Sequence, residues 1–210
     1  MIRISILFSV CFLISINSQA QIQYDTTTYT LSFKKIEQVD LSKELLKSKI
    51  EKWFAVTFKD SKEVIRLSND ETIIGKGYIK GIINSGKYTV ETIYNLTIDV
   101  AIKDGRYKLE MYDLTSPSPV GNGEIPLFYS PNLNLENYEE FSLKMLQYID
   151  NPQIKKDVVK FIEKGKIRQD DIDKSNDLNK QVYTIIDKNF NSLATDLKTF
   201  LKSESKKDDW

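Results

Sequence analysis

The residues with the best claim to chemistry are two carboxylates that a hairpin would bring face to face. Asp104-Gly105 is a strong two-residue hairpin signal between two alternating runs, Tyr88–Lys103 and Arg106–Thr115. A two-residue turn there makes opposed residue numbers sum to 209, which sets Asp99 opposite Glu110 on the outer face. Acids opposed in this way repel, and such pairs can raise one pKa and serve acid–base or metal chemistry. The competing reading leaves both in water, with Lys108 beside Glu110 on the same strand. Asp171, Asp173, Ser175, Asp177 and Asn179 fall at alternate positions, as the first ligands of a calcium loop would. Position six is Asn176 instead of Gly and position twelve is Val182 instead of Glu, so a negatively charged helix start accounts for them better. Gly75-Lys76-Gly77 lacks the strand–turn–helix context of a phosphate loop and reads as strand. The expected metal and cofactor complement is therefore none.

Composition narrows the chemistry further. The 210 residues contain no His and one Cys, so His-dependent triads, His-ligated zinc and imidazole switches are excluded. Thirty basic residues balance thirty acidic ones, which removes the positive field that nucleic-acid binding needs. At 40% hydrophobic and 29% charged, the chain has the make-up of an ordinary globular protein.

The carboxylate pair needs a sheet to hold it, and the pattern supplies one. Tyr29 to Val39 alternates and reads as a strand. Ser42 is an N-cap candidate for a helix whose apolar positions Leu45, Leu46, Ile50, Trp53, Phe54 and Phe58 recur at helical spacing up to Lys59. Strands follow at Glu63–Leu67, Thr72–Ile83, Tyr88–Lys103 and Arg106–Thr115. On the last hairpin Ile102 faces Tyr107, Val100 faces Leu109 and Ile98 faces Met111, so every inner pair is apolar. The turn at Asn84-Ser85-Gly86-Lys87 predicts opposed numbers that sum to 171. Lys80 would then face Glu91, and Gly75, Gly77 and Gly81 would lie opposite Leu96, Tyr94 and Val90. Small against large leaves room for the ring of Trp53 or Tyr94 above the glycines. Trp53, Gly75, Gly77 and Tyr94 are therefore the candidate lining of a ligand cavity, although core packing explains the Trp53-Phe54 pair as well.

The run from Ser42-Lys43-Glu44-Leu45 through Trp53-Phe54, Phe58 and Lys62-Glu63-Val64-Ile65 to Ile73-Ile74-Gly75-Lys76-Gly77 resembles a known family. It is similar to domain of unknown function 4468, over roughly Phe33 to Ser116. The resemblance implies a TBP-like fold and a place among exported proteins of Gram-negative bacteria, and it implies no catalytic residues. Family members often carry a Gly in the turn before the Ile-x-Gly-x-Gly strand, where this chain has Ser68-Asn69-Asp70-Glu71-Thr72. The name describes shape and does not import DNA binding.

Residues 1–20 read as a signal peptide. Arg3 is the positive start, Ile4 to Ile16 the apolar stretch, and Ser18 and Ala20 the small residues before a cut after Ala20. A retained anchor is the alternative, but the apolar run is short for a membrane span. Residues 21–116 are expected to form the α+β domain: a β-α-β-β-β-β antiparallel sheet with one helix packed on it. Residues 117–131 form a Pro/Gly-rich linker docked by Phe128-Tyr129, 132–204 a helical region, and 205–210 a polar tail. In the helical region Asn151-Pro152 opens one helix, Gly165 suits its end, and a last helix spans about Asp173 to Lys202.

Three functions fit. The first is a non-catalytic binding or adaptor module of the envelope, periplasmic or secreted, with an unknown envelope protein as partner. Its variant encloses a small apolar ligand between helix and sheet. The second is a carboxylate-only hydrolase using Asp99 and Glu110, and the third a structural envelope component. Nucleic acid and an integral membrane position are not expected.

Overall fold

A computed structural model describes residues 21–58, 64–118, 123–165 and 167–203. Residues 1–20, read from the sequence as a signal peptide, and the expected tail 205–210 lie outside these residues. The strands are β1 (Gln21–Asp25), β2 (Thr30–Gln38), β3 (Ile65–Ser68), β4 (Thr72–Ser85), β5 (Tyr88–Lys103), β6 (Arg106–Pro117) and β7 (Glu124–Pro126). The helices are α1 (Lys43–Thr57), α2 (Tyr138–Leu146), α3 (Pro152–Glu163) and α4 (Gln169–Lys202). All strand pairings are antiparallel, in the order β1-β2-β6-β5-β4-β3, with β7 added to the end of β6. The expected order from β2 through α1 to β6 is present. Two short strands, β1 and β7, extend it. β1 carries only Ile22 and Tyr24 as apolar residues, too few for alternation to reveal a strand. It is turned onto β2 by Asp25, whose carboxylate accepts the N–H groups of Thr27 (2.7 Å) and Thr28 (3.1 Å).

Local signals explain most boundaries. The Ser42 hydroxyl accepts the Leu45 N–H at the start of α1. The Asn151 side chain accepts the N–H groups of Gln153 and Ile154 ahead of Pro152, and Gly165 takes a positive φ of 58° just after α3. In the turn before β4, the Asn69 side chain accepts the N–H groups of Glu71 and Thr72. An Asx turn thus does the work that a glycine would do there.

The β5–β6 register is the expected one: Ile102, Val100 and Ile98 face Tyr107, Leu109 and Met111. The β4–β5 register differs by two. Gly75 faces Ile98, Gly77 faces Leu96 and Gly81 faces Thr92, because the two-residue turn is Gly86-Lys87. Gly86 adopts φ 59°, which glycine accepts without strain. A slip of two keeps every side chain on its face, so the inner row stays inner. Lys80 now faces Ile93, yet its ammonium still reaches Glu91 diagonally at 3.4 Å.

The space above the glycines is filled differently from the expectation. A Cβ on Gly75 would lie 2.6 Å from the Phe54 ring, one on Gly77 2.7 Å from Phe58, and one on Gly81 2.5 Å from Ile185. Trp53 and Tyr94 are buried, but the atoms nearest these Cβ positions belong to other residues. Two helices, not one, cover the inner face. α4 buries Val182, Ile186, Phe190, Ala194, Leu197 and Leu201 in the same core as Ile50, Trp53 and Phe54 of α1. A stripe of this length at helical spacing must find apolar cover, and the sheet provides it. The Trp53 indole N–H donates to Asp196 (2.7 Å), Lys198 pairs with Glu37 of β2 (2.8 Å), and Lys49 donates to the Leu201 carbonyl at the end of α4 (3.0 Å).

A smaller cluster of Tyr29, Phe128, Leu133, Phe141 and Ile172 joins the β1–β2 turn, the segment after β7, α2 and the start of α4. Asn176 exchanges two hydrogen bonds with the backbone of Leu133 (2.9 Å each), and buried Asn179 donates to the Ser130 carbonyl (2.9 Å). The calcium-like run therefore lies on regular helix, and two of its residues fasten the segment before α2. Replacing Gly75 by Ala is expected to destabilise the fold by about 1–3 kcal/mol, because the buried Phe54 ring must move. Urea denaturation at constant m-value checks this.

Candidate functional site

On the outer face of the sheet, polar and charged side chains of β2, β6 and β5 form rows across the strands. One row runs Lys34–Glu110–Asp99, the next Ile36–Lys108–Ala101, and the last Gln38–Arg106–Lys103 beside the Asp104-Gly105 turn. Asp99 and Glu110 are thus opposed as expected. Their partners are separate: Asp99 accepts the Thr72 hydroxyl (2.8 Å), and Glu110 is paired with Lys34 (3.4 Å) and Lys108 (2.5 Å). Partial burial raises the Glu110 pKa, but the Lys108 hydrogen bond and the charges of Lys108 and Lys34 outweigh it and hold it below the ordinary value. The two ammonium groups answer the repulsion that the hairpin imposes, and Glu110 is kept ionised.

The candidates for a ligand cavity lie in the core, with different neighbours. Trp53, fully buried, spends its N–H on Asp196. Tyr94 lies opposite Ile79, with burial pushing its hydroxyl pKa up. Gly75 and Gly77 receive Phe54 and Phe58. Tyr107, also on the inner face, has a buried hydroxyl with no hydrogen-bond partner among the described residues, and burial pushes its pKa far up.

A polar cluster that the sequence reading did not single out lies at a bulge in β6. Asn95 faces Thr115 while Thr97 faces Tyr112, so β6 carries one extra residue, and Asp113 adopts φ 52°. The Lys76 ammonium donates to the Thr97 hydroxyl (2.6 Å), which in turn donates to Asp113 (3.3 Å). Glu124 of β7 accepts from Asn95 (2.6 Å) and from the Thr115 hydroxyl. Phe58, Arg66, Lys76, Asp113 and Glu124 line an open groove of about 480 Å³ here. A signal for the bulge existed: buried Met111 is followed by buried Leu114, three residues on, where strict alternation requires 113.

The β4–β5 hairpin outruns its neighbours. β6 pairs with β5 only from Asn95 onward, and β3 pairs with β4 only from Ile73 to Gly75. The projecting part exposes Tyr78, Ile82, Tyr88, Val90 and Ile93, with Tyr88 76% exposed. Its two edges differ. Along β4, the Asn84 N–H donates to the Gln181 side chain (2.8 Å), the Gln181 amide donates back to the Asn84 carbonyl (3.0 Å), and Asn189 donates to the Lys80 carbonyl (3.3 Å). Along β5, among the described residues, no strand pairs with Tyr88 to Tyr94 on the side away from β4.

An antiparallel sheet with α1 and α4 on one face defines an α+β, TBP-like architecture. Residues 33–116 match the family model described as a domain of unknown function (DUF4468) with TBP-like fold, and the chain resembles that family there. Among solved structures it is similar to a DUF4468 family protein from Bacteroides ovatus ATCC 8483 (15% identity, 88% of this chain and 99% of that one, TM-score 0.47). It is also similar to a TBP-like protein from Parabacteroides distasonis ATCC 8503 (9% identity, 83% and 95%, TM-score 0.46). No curated protein matches the chain.

The depressed pKa gives Glu110 a pH signature. Its contribution is present above the ordinary value of 4.5 and is lost as pH falls through the lower folded-state value. Glu110→Gln should cost about 1 kcal/mol at neutral pH. The gap to the native protein should close on acidification, as read from urea midpoints across the pH range.

Proposed function

We propose that this protein is a non-catalytic binding or adaptor module exported to the cell envelope, and that it docks a partner protein along the free edge of β5. The observation that carries this reading is the asymmetry of the projecting hairpin. One edge has three of its outward backbone groups, the Asn84 N–H and carbonyl and the Lys80 carbonyl, answered by Gln181 and Asn189, while the other, flanked by exposed Val90 and Ile93, is open among the described residues. An open edge with exposed apolar side chains on both faces suits an extended segment that adds a strand, since backbone hydrogen bonds supply affinity and side chains supply selectivity.

The filled space above Gly75, Gly77 and Gly81 favours docking over a small apolar ligand enclosed between helix and sheet. The separate partners of Asp99 and Glu110 favour binding over a carboxylate-only hydrolase. Export rests on the signal-peptide pattern of residues 1–20, with cleavage after Ala20 and a periplasmic or secreted product. Among the described residues no helix is long and apolar enough to cross a membrane.

Two measurements test this. The intact mass of the protein recovered from a Gram-negative envelope should correspond to a chain beginning at Gln21; retention of residues 1–20 would contradict cleavage. Asn84 and Thr89 are opposed with their backbone groups directed outward, so by alternation the Glu91 N–H also points to the open edge. Glu91→Pro removes that donor at a position where an edge strand tolerates proline. It should abolish cross-linking of the envelope partner with little change in the unfolding midpoint. Equal cross-linking by both proteins would rule out edge docking.

A further inference from the structure

The hairpin turn at Asp104-Gly105 gathers positive charge in a way the fold does not need. Lys103 lies directly opposite Arg106, a like-charge pair that weakens a sheet, and Lys108 stands in the adjacent row on the same face. Lys108 has Glu110 as partner, whereas among the described residues neither Lys103 nor Arg106 makes an ion pair. The nearest acid in sequence, Asp104, accepts the Lys43 N–H in front of α1 (3.2 Å). Between these cations the surface sinks into a depression of about 340 Å³, lined also by Ile36 and Ala101. Ile36 is 40% exposed there. Cations that repel one another around an apolar floor are complementary to a molecule with a negative head and an apolar body.

We propose that this depression binds a small soluble organic anion, a carboxylate or phosphate ester joined to an apolar body. Arg106 and Lys103 hold the head, and Ile36 and Ala101 receive the body. Guanidinium and ammonium groups are the usual donors to such heads. A concave space of this size suits one small molecule. A lipid head group offers the same charge, but its apolar part stays in the bilayer, away from Ile36 and Ala101.

The opposed pair also makes a stability prediction that a merely solvated face does not. Lys103→Glu turns the like-charge pair into an attractive one, so it should raise the unfolding temperature while removing the site. The probe is octanoate, followed by backbone amide NMR shifts, with acetate and octanol as the separated halves and phosphatidylglycerol vesicles as the membrane surface. Octanoate should shift residues 36, 101, 103 and 106 saturably, with acetate and octanol at least about tenfold weaker, a difference of about 1.4 kcal/mol. Lys103→Glu, and independently Arg106→Gln and Lys103→Gln, should weaken octanoate by a similar factor. The proposal is overturned if octanoate does not saturate these positions, or if acetate matches it. It is also overturned if vesicles bind where octanoate does not, if the variants keep full affinity, or if Lys103→Glu lowers the unfolding temperature.

Discussion

The structure depends on how closely two aromatic rings approach the backbone of β4. Phe54 rests against Gly75 and Phe58 against Gly77, at distances a side chain on either residue would forbid. This contact sets the separation of α1 from the sheet, and with it the depth of the layer in which Leu46, Ile50 and Trp53 are buried. Interiors are packed to crystal-like density, so a helix lifted by one methyl group would leave its neighbours without contact. Gly81 repeats the arrangement for α4, with Ile185 as the occupant. Both covering helices are thus seated on the same strand by the same device.

Seating alone would leave α4 free to slide along the sheet, and polar contacts fix its position. Trp53–Asp196 ties it to α1, Glu37–Lys198 to β2, and Gln181 and Asn189 to the backbone of β4. Glu37 is held by two lysines, Lys35 at 2.9 Å and Lys198 at 2.8 Å. Burial raises its pKa, and those two hydrogen-bonded cations bring it below the ordinary value. The amide contacts protect an edge that would otherwise present unpaired groups to any passing strand.

Much of this was legible in the sequence, for identifiable reasons. α1 announced itself through Ser42 and a stripe at helical spacing, and the β5–β6 register through Asp104-Gly105 with apolar pairs that agree among themselves. The β4–β5 register was not legible, because Asn84-Ser85-Gly86-Lys87 allows two turns and a slip of two residues leaves every face unchanged. Asp99 and Glu110 were placed correctly, but the lysines around Glu110 were only half visible: Lys108 is on the same strand, whereas Lys34 arrives from β2 through a long-range pairing. The rings above the glycines were misassigned for a similar reason. Spacing shows which residues of a helix face inward, but not which inward residue meets which glycine. The role of α4 in the main core lay out of reach, since an amphipathic stripe does not name the surface it covers.

The chain order of these parts has a consequence for the time course of folding. Trp53 and Asp196 are 143 residues apart, and Phe33 of β2 pairs with Met111 of β6. The inner face of the sheet therefore stays partly uncovered until residues 182–201 have left the ribosome. Loops this long are closed slowly, and their closure comes before any reward from the contacts. The β4–β5 and β5–β6 hairpins join neighbouring segments, but the layer that covers them is incomplete until α4 is made. In that state the apolar inner side chains of the sheet lack the cover that Val182 to Leu201 provide in the native layer.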